Sequence, residues 1–99
     1  MAKFALLVEL TAKLGKEAEA EAFLQGEAKL VREEPGTLTW HAVKIEGEAS
    51  VYRIFDTFDN EADREAHLNG AAGAELVARA AELFSVAPKV YRLQIVAEK

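Results

Sequence analysis

The order in which hydrophobic periodicity changes along this chain constrains its fold more than any other feature. Residues 3–11 alternate, with Phe4, Leu6, Val8 and Leu10 set against Ala5, Leu7, Glu9 and Thr11, which is the period of a strand. Gly15 marks a turn. Residues 16–33 then take helical spacing, with Ala20, Phe23, Leu24, Leu30 and Val31 on one stripe and Glu17, Glu21 and Lys29 on the solvated side. Gly26, inside this helix, is expected to permit close helix–sheet packing. Pro35-Gly36 stops the helix, because proline cannot continue it and glycine permits the turn. Residues 37–45 and 50–58 read as strands joined by the hairpin-sized Glu46-Gly47-Glu48-Ala49. Asp59 or Asn60 suits the cap of a helix running to about Leu68, with Glu61 and Asp63 in its first turn. Asn69-Gly70-Ala71-Ala72-Gly73 interrupts or bends that helix. A further segment reaches about Phe84, with Leu76, Val77, Ala80, Leu83 and Phe84 as its stripe and Glu75 and Arg79 as an exposed pair. Pro88 opens a last strand over 89–97.

The order is β-α-β-β-α-β. It predicts an α+β, ferredoxin-like domain over residues 1–99: a four-stranded antiparallel sheet with helices on one face. Both faces of that sheet carry large apolar residues, among them Phe4, Leu6 and Val8 against Leu7, and Phe55 against Tyr52, Ile54 and Phe58. Helices cover only one face, and leaving Leu7 or Phe55 in water forfeits roughly 1.5–3 kcal/mol each relative to full burial. The expectation is a homodimer whose sheets pack face to face.

Composition excludes several function classes. A net charge of -5 without a basic stripe argues against nucleic-acid binding. The absence of cysteine removes disulfides, thiolate nucleophiles and thiolate metal sites, and fits a reducing cytoplasm. The apolar run near the N-terminus is broken at Glu9, too short for a membrane span and without a signal-peptide pattern. Gly70-Ala71-Ala72-Gly73 is not a dinucleotide fingerprint, since it does not follow a strand and lacks the third glycine.

Few residues have chemical reach. His67 falls on a helix, four residues after Asp63, where a carboxylate raises and orients an imidazole. It reads either as a general base in a helix–sheet cleft or as a locally bonded helix histidine. His41 falls on a strand, and a two-histidine metal site with Asp56 is not demanded by any spacing. Trp40 is the only tryptophan, either core filling or the wall of a pocket for a flat ligand. Alternation sends Trp40 and His41 to opposite faces, and Tyr52 and Arg53 likewise. Arg53 interrupts an apolar strand, either facing a ligand anion or pairing with Glu9, Asp56 or a second subunit. Arg92 carries the same ambiguity, and Tyr52 and Tyr91 are phenolic donors or sheet core.

Three segments resemble the antibiotic biosynthesis monooxygenase domain family. They are Glu34-Pro35-Gly36-Thr37-Leu38-Thr39-Trp40, then Ile54-Phe55-Asp56-Thr57-Phe58-Asp59-Asn60-Glu61-Ala62, then Glu65-Ala66-His67-Leu68. The resemblance implies a dimeric α+β barrel and oxygenation of a hydroquinone or polyhydroxylated aromatic by O₂ without a cofactor or metal. It implies His67 as base or orienting group, Trp40 as wall or donor, and Arg53 or Tyr52 as stabiliser of the substrate anion. The haem-degrading branch of the family is not implied: Val8 stands where that branch has asparagine, and Val77 where it has an axial histidine. A noncatalytic dimeric barrel that binds a small aromatic or apolar ligand is the alternative.

Overall fold

The computed structural model describes residues 2–99. Its elements run β1 (Phe4–Thr11), α1 (Glu17–Val31), β2 (Thr37–Lys44), β3 (Val51–Phe58), α2 (Glu61–Leu68), α3 (Ala71–Leu83) and β4 (Lys89–Gln94). The strands form one antiparallel sheet in the order β2-β3-β1-β4. This is the ferredoxin-like α+β arrangement, with the second helical region divided into two helices. No helix among the described residues is long and apolar enough to cross a membrane.

Local chemistry accounts for the boundaries. The Asn60 side chain accepts a hydrogen bond from the Asp63 amide at 2.8 Å and caps α2. A Cβ at Gly73 would overlap the Leu68 carbonyl oxygen, so only glycine lets the first turn of α3 lie against the end of α2. A Cβ at Gly36 would come within 2.7 Å of the Asp63 side chain, which fixes how closely the turn after α1 passes α2. β4 ends at Gln94, earlier than its alternation predicts. Its partner β1 begins at Phe4, which pairs with Gln94, so after the Ile95 amide bonds the Lys3 carbonyl no strand remains to pair with.

Strand parity divides the sheet. The covered face carries the rows Trp40–Asp56–Leu6–Arg92, Ala42–Ile54–Val8–Val90 and Lys44–Tyr52–Leu10. Val8, Leu10, Tyr52 and Ile54 from it form the core with Ala20, Phe23 and Leu24 of α1 and Leu83 and Phe84 at the end of α3. The expected stripe of α3 is narrower than the sequence suggests, because Val77 is 80% exposed. The open face carries His41–Phe55–Leu7–Tyr91 and Val43–Arg53–Glu9–Lys89. Phe55 and Val43 there are exposed.

Carboxylates on α1 clip the helix to the β2–β3 hairpin. Ser50 Oγ donates to Glu17 at 2.7 Å, and Tyr52 Oη donates to Glu21 at 2.6 Å. Glu17 and Glu21 therefore do more than solvate a helix face. Burial, then the bond to Glu21, pushes the Tyr52 hydroxyl up to about 12, so it stays a donor.

Candidate functional site

The sheet register sets Asp56 between Trp40 on β2 and Leu6 on β1, on the covered face. Asp56 is 0% exposed. A carboxyl is rarely buried so fully without a charged partner, and here the partner comes from α2. His67 Nε2 lies 3.0 Å from Asp56 Oδ2, close enough for an ion pair but without the alignment of a good hydrogen bond. The other ring nitrogen, Nδ1, meets Glu34 Oε1 at 2.6 Å. The Thr37 hydroxyl donates to the same oxygen at 2.7 Å and holds Glu34 in place. The Phe58 ring packs against the imidazole, with centroids 5.5 Å apart.

His67 is thus clamped by a carboxylate at each nitrogen. Burial pulls its pKa down, but Asp56 and Glu34 outweigh that, and the net displacement is upward. Burial pushes Asp56 above the usual carboxylate range, against the pull of His67. The partner expected from helical spacing, Asp63, is not the one used. Asp63 packs at Gly36, and the carboxylates that hold His67 come from the turn after α1 and from β3.

A small cavity of about 40 Å³ lies behind this cluster. His67, Asp56 and Trp40 line it, with Leu6, Val8 and Ile54 of the sheet and Ala72, Gly73 and Leu76 of α3. Glu27 of α1 closes one side. Glu27 is 4% exposed, and its Oε2 has no hydrogen-bond partner among the described residues. Burial, then the neighbouring Glu75, raises its pKa to about 7; Glu34 adds to the rise and His67 opposes it. Sequence reasoning passed over Glu27. One signal was available: it sits three and four residues from Leu24 and Phe23 and four from Val31, an acid on the buried stripe.

Glu27 also lines a larger groove of about 700 Å³ between α1 and α3. Ala22, Phe23, Gly26 and Leu30 form its α1 wall, and Ala71, Ala74 and Arg79 belong to its α3 wall. Gly26 does not serve close helix–sheet packing: a Cβ there meets nothing within 4 Å, and the residue opens onto this groove. Arg79 spends its guanidinium on Glu82, with bonds of 2.9 and 3.1 Å, rather than on Glu75.

The candidates from sequence separate. Trp40 and His67 meet at the inner cavity. Tyr52 shares the covered face but gives its hydroxyl to Glu21. Arg53 lies on the open face, donating to the Tyr52 carbonyl at 2.8 Å and standing 3.6 Å from Glu9. His41 shares that open face, so the two histidines are on opposite sides of the sheet. Tyr91 donates to Glu9, and Arg92 forms a two-pronged pair with Glu65 at 2.9 and 3.0 Å. No group of three His, Cys, Asp or Glu residues among those described has the disposition to hold a metal ion.

No curated protein matches the chain. Solved structures do. A Nitrosomonas europaea protein of unknown function is 42% identical, with a TM-score of 0.93 over 100% of this chain and 94% of its own. A Mycobacterium tuberculosis protein is 14% identical, with a TM-score of 0.87 over 98% of each chain. A Pseudomonas aeruginosa protein is 20% identical, with a TM-score of 0.82 over 98% of this chain and 97% of its own. The sequence signature described as antibiotic biosynthesis monooxygenase matches residues 3–79, which include the whole His67–Asp56–Glu34 cluster, Trp40 and Glu27. This chain belongs to the antibiotic biosynthesis monooxygenase family.

Proposed function

We propose that the protein is a monooxygenase that uses O₂ on a hydroquinone or a polyhydroxylated aromatic, with the reaction at the helix-covered face of the sheet. The observation that carries this reading is the buried ionisable cluster: His67 clamped between Asp56 and Glu34, beside Trp40, at a small and mainly apolar cavity. Family membership supports the reaction class.

The reaction balances without an outside reductant. A hydroquinone plus O₂ gives a hydroxyquinone plus water; one oxygen atom enters the ring, and the substrate supplies all four electrons. The protein's share is to accept a phenolic proton, hold the electron-rich anion and exclude water. His67 alone is a poor base in this setting, because both nitrogens already face carboxylates. A carboxylate lining the cavity is a better one. His67 then serves to make a buried Asp56 tolerable, and Trp40 is a wall of the inner cavity. Tyr52 holds α1 to the hairpin, and Arg53 is on the far side of the sheet.

A binding module without turnover has one observation in its favour: the inner cavity, about 40 Å³, is too small for an aromatic ring. Oxygen uptake with a panel of hydroquinones separates the two readings. Uptake by the wild type that falls in His67→Ala supports the oxygenase; no uptake across the panel leaves the binding module.

The open face completes the proposal. Phe55, Leu7, Tyr91 and Val43 form an apolar band there, next to the Glu9–Arg53 pair. A second copy meeting this face sheet to sheet buries the band and makes a dimeric barrel. Sedimentation is expected to give a dimer at micromolar concentration and a monomer for Phe55→Asp. A wild-type monomer rules the dimer out.

A further inference from the structure

We propose that Glu27 is the residue that receives the ligand's hydroxyl proton, and that the ligand reaches it through the groove between α1 and α3. This rests on the reading that the cluster acts on a hydroxylated aromatic, and it says where that molecule sits.

The inner cavity of about 40 Å³ holds little more than a water or a dioxygen molecule, whereas the groove of about 700 Å³ is within the range of small-molecule sites. Glu27 lines both, so this residue stands between the two volumes. No other residue of α1 does.

The walls select the ligand's shape. Ala22, Gly26, Ala71 and Ala74 are small, and the Phe23 ring and the Leu30 side chain supply apolar area. That suits a flat ring system of about two fused rings. The charges select its chemistry. Glu19, Glu27 and Glu75 border the groove, and its one cation, Arg79, is already engaged by Glu82. A carboxylate or phosphate ligand meets repulsion here. A neutral molecule with an O–H donor finds the unpartnered Glu27 Oε2, an acceptor whose own burial leaves it no water to bond.

A second feature converges on the same place. α3 begins at Ala71 with no side-chain cap and no acid in its first turn. Ala71 and Ala74 line the groove, while Ala72 and Gly73 line the cavity. The positive end of the α3 dipole therefore lies beside Glu27, where it favours a phenolate oxygen once the proton has left. The proton passes from the ligand O–H to the Glu27 carboxylate, forming one O–H bond as the other breaks; no electrons change hands in this step. The ionisable groups around Glu27 are Glu19 on α1, Glu75 and Arg79 on α3, Glu34 after α1, His67 on α2 and Asp56 on β3. They leave Glu27 exchanging its proton near neutrality.

The test uses 1,4-naphthohydroquinone as probe. Its binding is measured by anaerobic calorimetry and its oxidation by oxygen uptake against pH. Gly26→Leu fills the groove from a position where a side chain meets nothing, and is expected to weaken binding by about tenfold or more. Gly26→Ala, which makes the same change to the helix with far less volume, is expected to bind like wild type. Glu27→Gln is expected to bind within about threefold of wild type but to lose the near-neutral limb of the uptake profile. The proposal is overturned if the wild type does not bind the probe up to its solubility, if Gly26→Leu binds as wild type does, or if Glu27→Gln keeps the neutral limb. Groove-sensitive anaerobic binding with no oxygen uptake at any pH retires the oxygenase reading while placing the ligand in the groove beside Glu27. Uptake that both variants leave unchanged retires Glu27 and spares the oxygenase.

Discussion

Replacing Glu27 by glutamine should change how the fold's stability depends on pH, whatever the ligand is. In the unfolded chain this carboxyl titrates at its ordinary 4.5; in the fold it titrates at about 7. Between those values the folded state holds a proton that the unfolded state has lost, so stability falls as pH rises through the window. The gap, at about 1.4 kcal/mol per pH unit, amounts to about 3 kcal/mol at full ionisation. Below pH 4.5 both states are protonated and the effect vanishes. Above about pH 7 the loss is complete, because an ionised Glu27 then stays buried among Glu75 and Glu34. Asp56 and His67 also have raised values and lose stability in the same direction, so the wild-type slope alone does not isolate Glu27. The difference between wild type and Glu27→Gln does. Urea unfolding at pH 5 and pH 8 should show the variant gaining about 2–3 kcal/mol on the wild type across that interval. Parallel profiles for the two proteins would refute the claim that Glu27 is buried and protonated in the fold.

Three other perturbations follow from the geometry. Gly73→Ala drives a Cβ into the Leu68 carbonyl oxygen, a backbone atom that cannot step aside; a loss of about 2 kcal/mol or more in chemical denaturation is expected. Gly36→Ala meets only the Asp63 side chain, and should cost less than Gly73→Ala in the same assay. Tyr52→Phe removes the bond to Glu21 and should cost about 1 kcal/mol, with oxygen uptake unchanged because the hydroxyl is bonded to Glu21 and not to the cluster. His67→Ala leaves Asp56 buried without its cation, so a loss of about 3–5 kcal/mol at pH 7 is expected, relieved in the double variant with Asp56→Asn.

The fold was legible because each element agrees with its neighbours. Pro35-Gly36, the 46–49 turn and the Asn60 cap punctuate the chain where the periodicity changes, and local chemistry of that kind can be read without coordinates. Legibility failed where the outcome depends on register. Alternation places Trp40 and His41 on opposite faces, but only the pairing of β2 with β3 decides that Trp40 faces the helices. The partners of His67 lie 33 residues away at Glu34 and across the sheet at Asp56, whereas sequence spacing offered only Asp63. The length of β4 depends on where β1 starts, a nonlocal fact. Glu27 does not stand out by residue type, because glutamates are common on helices and its neighbours Glu17 and Glu21 lie near the surface. Its place on the apolar stripe marked it as different.

The most direct test of the whole account is isotopic. The protein is incubated with its best hydroquinone under ¹⁸O₂, quenched rapidly, and the product is weighed by mass spectrometry. The expected product carries one ¹⁸O atom, with the second recovered in water, and this labelling disappears when the protein is omitted. A quinone formed without label, with both oxygen atoms leaving as peroxide or water, would mean that the protein at most hastens simple oxidation, and would contradict a monooxygenase.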